Sequence, residues 1–126
     1  MRRMVQQRGT FGIKRIYDPP AHDDGCRVLV DRLWPRGMSR ENAAIDMWLK
    51  DVAPSTGLRK DFNHRPGRFA EFSERYQVEL DSNPAVETLL ELAAGHPRIT
   101  LLYAARNTEA NHALVLLDYL RGRPAG

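Results

Sequence analysis

A chain of 126 residues, 42% hydrophobic and 28% charged, has the material for one packed domain with a water-compatible surface. It contains no run near the roughly 18 apolar residues of a membrane span, and its basic start, MRRMVQQRGT, lacks the apolar centre of a secretory signal, so neither a membrane partner nor an export leader is expected. The lone cysteine, Cys26, excludes an internal disulfide framework and suits a reducing cytoplasm, while the net charge of +3 is uneven, with 14 Lys/Arg against 8 Asp/Glu in residues 1–68 and 5 against 8 thereafter.

Residues 1–10 read as a flexible basic extension, followed by a single α/β domain over 11–126. The first strand candidate is Phe11–Tyr17, FGIKRIY, and the loop DPPAHDDG after it is dense in turn formers. Arg27–Leu33 is the second strand; its VLV centre is continuously apolar, as in a strand covered on both faces. PRGMSREN then turns, with Ser39 placed to cap a helix. Ile45–Leu49 fits a short third strand or a helical turn equally well. Ser55 caps a short helix, TGLRKDF, and Pro66 opens the next, where Phe69, Phe72, Tyr76 and Leu80 share one face as core packing.

Asn83-Pro84 reads as an N-cap followed by proline at the first helical position. The helix it opens carries the stripe Val86, Leu89, Leu90 and Ala93, and Gly95 is expected to stop it in a left-handed conformation. Ile99–Ala104, ITLLYA, is a second buried strand. After the turn ARN, Asn107 or Thr108 caps a last helix with the stripe Ala110, Ala113, Leu114, Leu117 and Leu120; His112 falls opposite that stripe, toward solvent. Strands interleaved with helices imply a mainly parallel sheet flanked by helices.

Ligands of open α/β sheets bind outside the carboxyl ends of the strands. One buried strand delivers Asp31, Arg32, Trp34, Arg36 and Ser39 there, and the other Tyr103, Arg106, Asn107 and Asn111. If the two strands are parallel neighbours, these sets meet at one rim, toward which the last helix points its free N–H groups. The pattern suggests an oxyanion site using Arg36 and Arg106, with Asn107 and Asn111 orienting the ligand. The competing reading is that Asp31 pairs with an arginine and the other residues cap helices. Asp31 is a weak candidate for a general base and a better one for locking an arginine rotamer. Trp34 either stacks on a ligand ring or closes the edge of the core.

HDDGC gathers His22, Asp23, Asp24 and Cys26, but no second cluster has metal-ligand spacing, so no metal is expected. Cys26 has no local partner that would activate it, and Ser55 is explained by capping. GxGxxG, P-loop, GxSxG and HExxH patterns are absent, and no cofactor is expected.

The segments IKRIYDPPAHDDGCRVLVDRLWPRGMSRE, WLKDVAPSTGLRKDFNHRP and LLYAARNTEANHALVLLDYL together resemble the domain-of-unknown-function 488 family, in its YeaO-like branch. The resemblance runs from Ile13 to Leu120. It implies a small bacterial or archaeal cytoplasmic α/β protein and marks Asp31, Arg32, Trp34, Pro35, Arg36, Gly37, Ser55, Tyr103 and Arg106 as motif positions, without a catalytic assignment. VLVDRLWP and the strand-loop-helix layout of the last segment are also similar to rhodanese domains. A rhodanese would carry its catalytic cysteine near Ala105 or Arg106; this chain has none, which argues against sulfur transfer and leaves an anion-cradling loop.

Three functions are therefore in competition. The first is a site for a small phosphorylated or carboxylated ligand. The second is a nucleic-acid-binding module using the basic half, which would bind with steep salt dependence. The third is an interaction module presenting Trp34 or Trp48 in an exposed apolar patch.

Overall fold

The computed structural model describes residues 9–63 and 65–123; the expected extension falls mostly on residues 1–8, outside them. Four strands, β1 (Thr10–Arg15), β2 (Cys26–Leu29), β3 (Met47–Trp48) and β4 (Arg98–Tyr103), form one sheet in the order β1-β4-β2-β3. Every pairing is parallel, as expected of an α/β domain. The most apolar strands, β2 and β4, occupy the centre, where both faces are covered; all four residues of β2 are buried.

The helices are α1 (Arg40–Ala43), α2 (Thr56–Phe62), α3 (Phe69–Asp81), α4 (Ala85–Gly95) and α5 (His112–Arg121). Alternation along the strands sorts their side chains. Phe11, Val28, Val30, Ile99, Leu101 and Tyr103 join the main core with the apolar faces of α2 to α5. Leu29 and Leu102 point the other way, into a smaller core with Ile16 and Ala43, closed by Trp34, Met38, Ile45 and Trp48. One face of the sheet thus carries the long helices, and the other only short α1 and loops. Among the described residues no helix is long and apolar enough to cross a membrane.

The capping residues act largely as their chemistry dictates. Ser39 Oγ accepts the Asn42 amide (3.0 Å) and Ser55 Oγ the Leu58 amide (3.2 Å), while α4 starts one residue later than expected: Pro84 is its N-cap, and Asn83 Oδ1 accepts the Ala85 amide (2.9 Å) in the turn before it. Ile45–Leu49 resolves as a strand, because Met47 and Trp48 pair with Val28 and Leu29.

Four further expectations need correction. Thr10, assigned to the extension, begins β1. The strand expected over Arg27–Leu33 runs from Cys26 to Leu29, since a side chain replaces the ladder after Val30. Gly95 has no positive φ. The last turn of α4 needs no left-handed residue because Gly9 N–H donates to the Ala93 carbonyl (2.7 Å) and His96 Nδ1 lies 3.0 Å from that of Leu92. Finally, the last helix starts at His112 and is capped by Asn111, whose Oδ1 accepts the Leu114 amide at 3.0 Å; Asn107 caps the preceding turn instead.

Candidate functional site

β2 and β4 are parallel neighbours, in register from Cys26↔Ile99 to Leu29↔Leu102, with Val30 N–H donating to Leu102 O at 3.0 Å. The segments 31–39 and 104–111 therefore leave the sheet from the same carboxyl edge. There Asp31 takes over from the backbone: its Oδ2 accepts the Ala104 N–H (3.0 Å) and its own carbonyl accepts Trp48 Nε1–H (2.8 Å). One residue thereby ties the ends of β2, β3 and β4.

His112 completes this latch. Its Nε2 lies 3.1 Å from Asp31 Oδ1 and 3.2 Å from the Val30 carbonyl. Only the tautomer with hydrogen on Nε2 serves either oxygen, and that hydrogen is directed at the carbonyl. Asp31 Oδ1 is left with an electrostatic contact and no hydrogen bond, although it is shielded from solvent. Two expectations are corrected here: His112 faces inward, with its ring edge-on to buried Tyr76, and Asp31 pairs with a histidine, not with an arginine. The inward position is held by the Val30 carbonyl and Asp31 on one side and the Tyr76 ring on the other.

The other residues singled out from the sequence divide into engaged and free groups. Arg32 reaches the Ala53 carbonyl (3.4 Å), while its Nε is buried without a partner. Trp34 donates to Met38 O (2.6 Å), meets Trp48 edge-to-face at 5.4 Å and is covered by the Arg40 guanidinium at 4.4 Å. It closes the smaller core, and the two half-buried tryptophans form no exposed apolar patch. The chain then turns through Pro35–Met38, where Met38 N–H donates to Pro35 O and Gly37 takes φ +74, which a side chain would disfavour. That turn holds Arg36 outward, its carbonyl bonded by Tyr17 Oη at 2.8 Å. Ser39 is committed to capping α1.

On the β4 side, Tyr103 is buried; burial pushes its hydroxyl up, with Arg15 opposing and Asp18 reinforcing the shift. Asn107 Oδ1 accepts the amides of Glu109 and Ala110 (2.8 and 3.0 Å), and Asn111 Nδ2 donates to Asn107 O (2.9 Å). The asparagines thus shape the loop that the rhodanese-like layout pointed to. Arg15 fastens the same loop from β1, with Nε to Ala105 O (3.0 Å) and a terminal nitrogen to Ala104 O (3.1 Å). Arg36 and Arg106 are exposed, and neither guanidinium has a hydrogen bond or ion pair among the described residues. Sequence reading missed Arg15, Trp48 and His112 as edge-forming residues. Only the periodicity of the last helix bore on His112, and it was counted from a start placed too early.

HDDGC serves the fold. Asp24 receives Lys14 Nζ (3.0 and 3.1 Å), an Arg27 terminal nitrogen and the Ala21 amide (2.9 Å). Buried Arg27 spends its other donors on the carbonyls of Ala43 and Ala44 (2.8 and 2.9 Å). Cys26 is buried at the opposite, amino end of β2 from the candidate site; burial, then Asp46, pushes its thiol up and away from the nucleophilic form.

Comparison with known proteins places the chain in a wider group. Residues 10–125 match the model of a family described as the inactive DUF488-N3 subclade. The chain is 49% identical over 109 residues to the uncharacterized protein YeaO of Escherichia coli, covering 86% of this chain and 94% of that one. It is 43% identical over 111 residues to the uncharacterized proteins Mb3100c of Mycobacterium bovis and Rv3073c of Mycobacterium tuberculosis, covering 88% of this chain and 93% of each of them. No solved structure matches the chain.

Proposed function

The chain belongs to the family described as the inactive DUF488-N3 subclade, and from that premise we propose that it binds a small phosphate or carboxylate anion at the carboxyl edge of its sheet without transforming it. The observation that carries this reading is the joining of β2 and β4 through Asp31, which brings two loops bearing the unpaired Arg36 and Arg106 to one edge. Binding without turnover is favoured because the groups that could react are committed elsewhere. Asp31 holds an amide and a histidine, Ser39 caps a helix, and Cys26 sits at the far end of the strand. The lone, buried thiol agrees with a cytoplasmic setting.

Calorimetric titration with inorganic phosphate, pyrophosphate, nucleotides and sugar phosphates tests the reading. Arg36→Ala and Arg106→Ala should each weaken binding about tenfold, the worth of one charge-assisted contact discounted for exposure. Absence of binding by the unaltered protein, or affinity unchanged in both variants, would reject it.

A further inference from the structure

The face of the sheet that lacks long helices is only partly covered. Over its β1–β4 half lies an open cavity of about 540 Å³, lined by Ile13, Lys14, Asp23, Asp24, Arg98 and Thr100. Its origin is local. Alternation places Gly12 and Lys14 on this face of β1, while the Ile13 side chain packs against the main core on the other and Ile13 meets the cavity only at its edge; the register sets Gly12 beside Thr100 and Thr10 beside Arg98. The 3-10 turn His22–Asp24 folds back as a wall, anchored by Thr100 Oγ1 donating to Asp24 O at 2.7 Å. Gly12 lets the Arg98 side chain lie flat on β1 at the cavity's edge: a Cβ there would collide with its guanidinium.

The charges around this cavity are unequally satisfied. Asp24 is saturated by Lys14, Arg27 and the Ala21 amide. Arg98 and Asp23 are exposed, and neither side chain makes a hydrogen bond or ion pair among the described residues. They line one cavity with opposite charge and do not pair with each other. A ligand complementary to both must carry an anion for the planar, five-donor guanidinium and a cationic donor for the carboxylate. The volume suits a small molecule.

We propose that this cavity is a second binding site, taking a small zwitterion with a carboxylate for Arg98 and an ammonium group for Asp23, as in a free amino acid. It shares no residue with the carboxyl-edge site, so each stands or falls alone.

Amide NMR titration of the full chain with free amino acids, with acetate and methylammonium as single-charge controls, tests the assignment. Amino acids should give saturable shifts at Gly12, Asp23, Arg98 and Thr100, and the controls should bind at least about tenfold more weakly. Arg98→Ala and Asp23→Asn should each weaken binding about tenfold or more. Gly12→Ala, which keeps both charges but displaces the guanidinium, should weaken it as well, while the unliganded spectrum away from β1 and β4 stays unchanged. No saturable shift at about 10 mM amino acid, or wild-type affinity in both charge variants, would overturn the site. Acetate binding as tightly as an amino acid, with no dependence on Asp23, would overturn the zwitterion.

Discussion

Asp31→Ala is the sharpest perturbation of the carboxyl edge. The substitution strips the acceptor from the Ala104 N–H and the carboxylate from beside His112 Nε2, at a side chain only 16% exposed. Leaving a largely buried donor unsatisfied costs about 1–3 kcal/mol, and loss of the contact with His112 adds up to about 1 kcal/mol. A total near 2.5 kcal/mol, set against an unfolding entropy of about 2.1 cal/mol/K per residue, lowers Tm by about 10 °C for a chain of this length. Urea and thermal denaturation followed by circular dichroism measure the loss. Hydrogen exchange at the Ala104 amide should speed up more than exchange in the middle of β4, because the latch is local. In a double-mutant cycle with His112→Ala, the two substitutions should be non-additive by about 0.5 kcal/mol or more. A loss below about 0.5 kcal/mol, with Ala104 exchange unchanged, would refute the claim that this carboxylate joins the strand ends.

Asp24→Asn should cost about 3 kcal/mol by urea denaturation, since it leaves the buried Arg27 guanidinium without its counter-charge. Burial pushes the Asp24 carboxyl up, but the Ala21 amide and the Lys14 and Arg27 cations outweigh it and hold the group below its ordinary 3.8. The contribution of Asp24 is therefore fully present above that value and fades as pH falls through the lower folded one. The stability gap between wild type and Asp24→Asn should accordingly narrow only in acid. Ala44 closes α1 with φ 48 and ψ 45, a left-handed conformation that costs an alanine about 1 kcal/mol; Ala44→Gly should raise stability by about 0.5 kcal/mol after the added unfolded-state entropy, read as a higher urea midpoint. The Cys26 thiol should react with a disulfide reagent far more slowly in native protein than in urea, since it is buried and held in the protonated form.

Much of this protein is decided locally and was legible in the chain. The VLV and ITLLYA runs become the central strands because only the middle of a covered parallel sheet buries both faces of a strand. Ser39 and Ser55 cap helices because their side-chain oxygens sit within reach of amides three residues ahead. The stripe Phe69, Phe72, Tyr76 and Leu80 follows from helical spacing alone, with only Phe69 left partly exposed.

What the sequence could not decide are contacts between groups far apart in it, where several partners are chemically equivalent. Any of many arginines could have taken Asp31, yet strand register sets its carboxylate against an amide 73 residues away and beside His112. Three residues before the last helix, Asn107, Thr108 and Asn111, could have capped it; the turn took Asn107, and Asn111 was left at the helix mouth. Composition and periodicity thus determined which segments became strands and helices and which of their faces went inside. Only tertiary structure decided which charges met, so that Arg36, Arg106, Arg98 and Asp23 are among the exposed charges left unpaired among the described residues. The reason is physical: burial depends on a residue's own chemistry and spacing, whereas pairing depends on the distance between two side chains, which exists only once the sheet has closed.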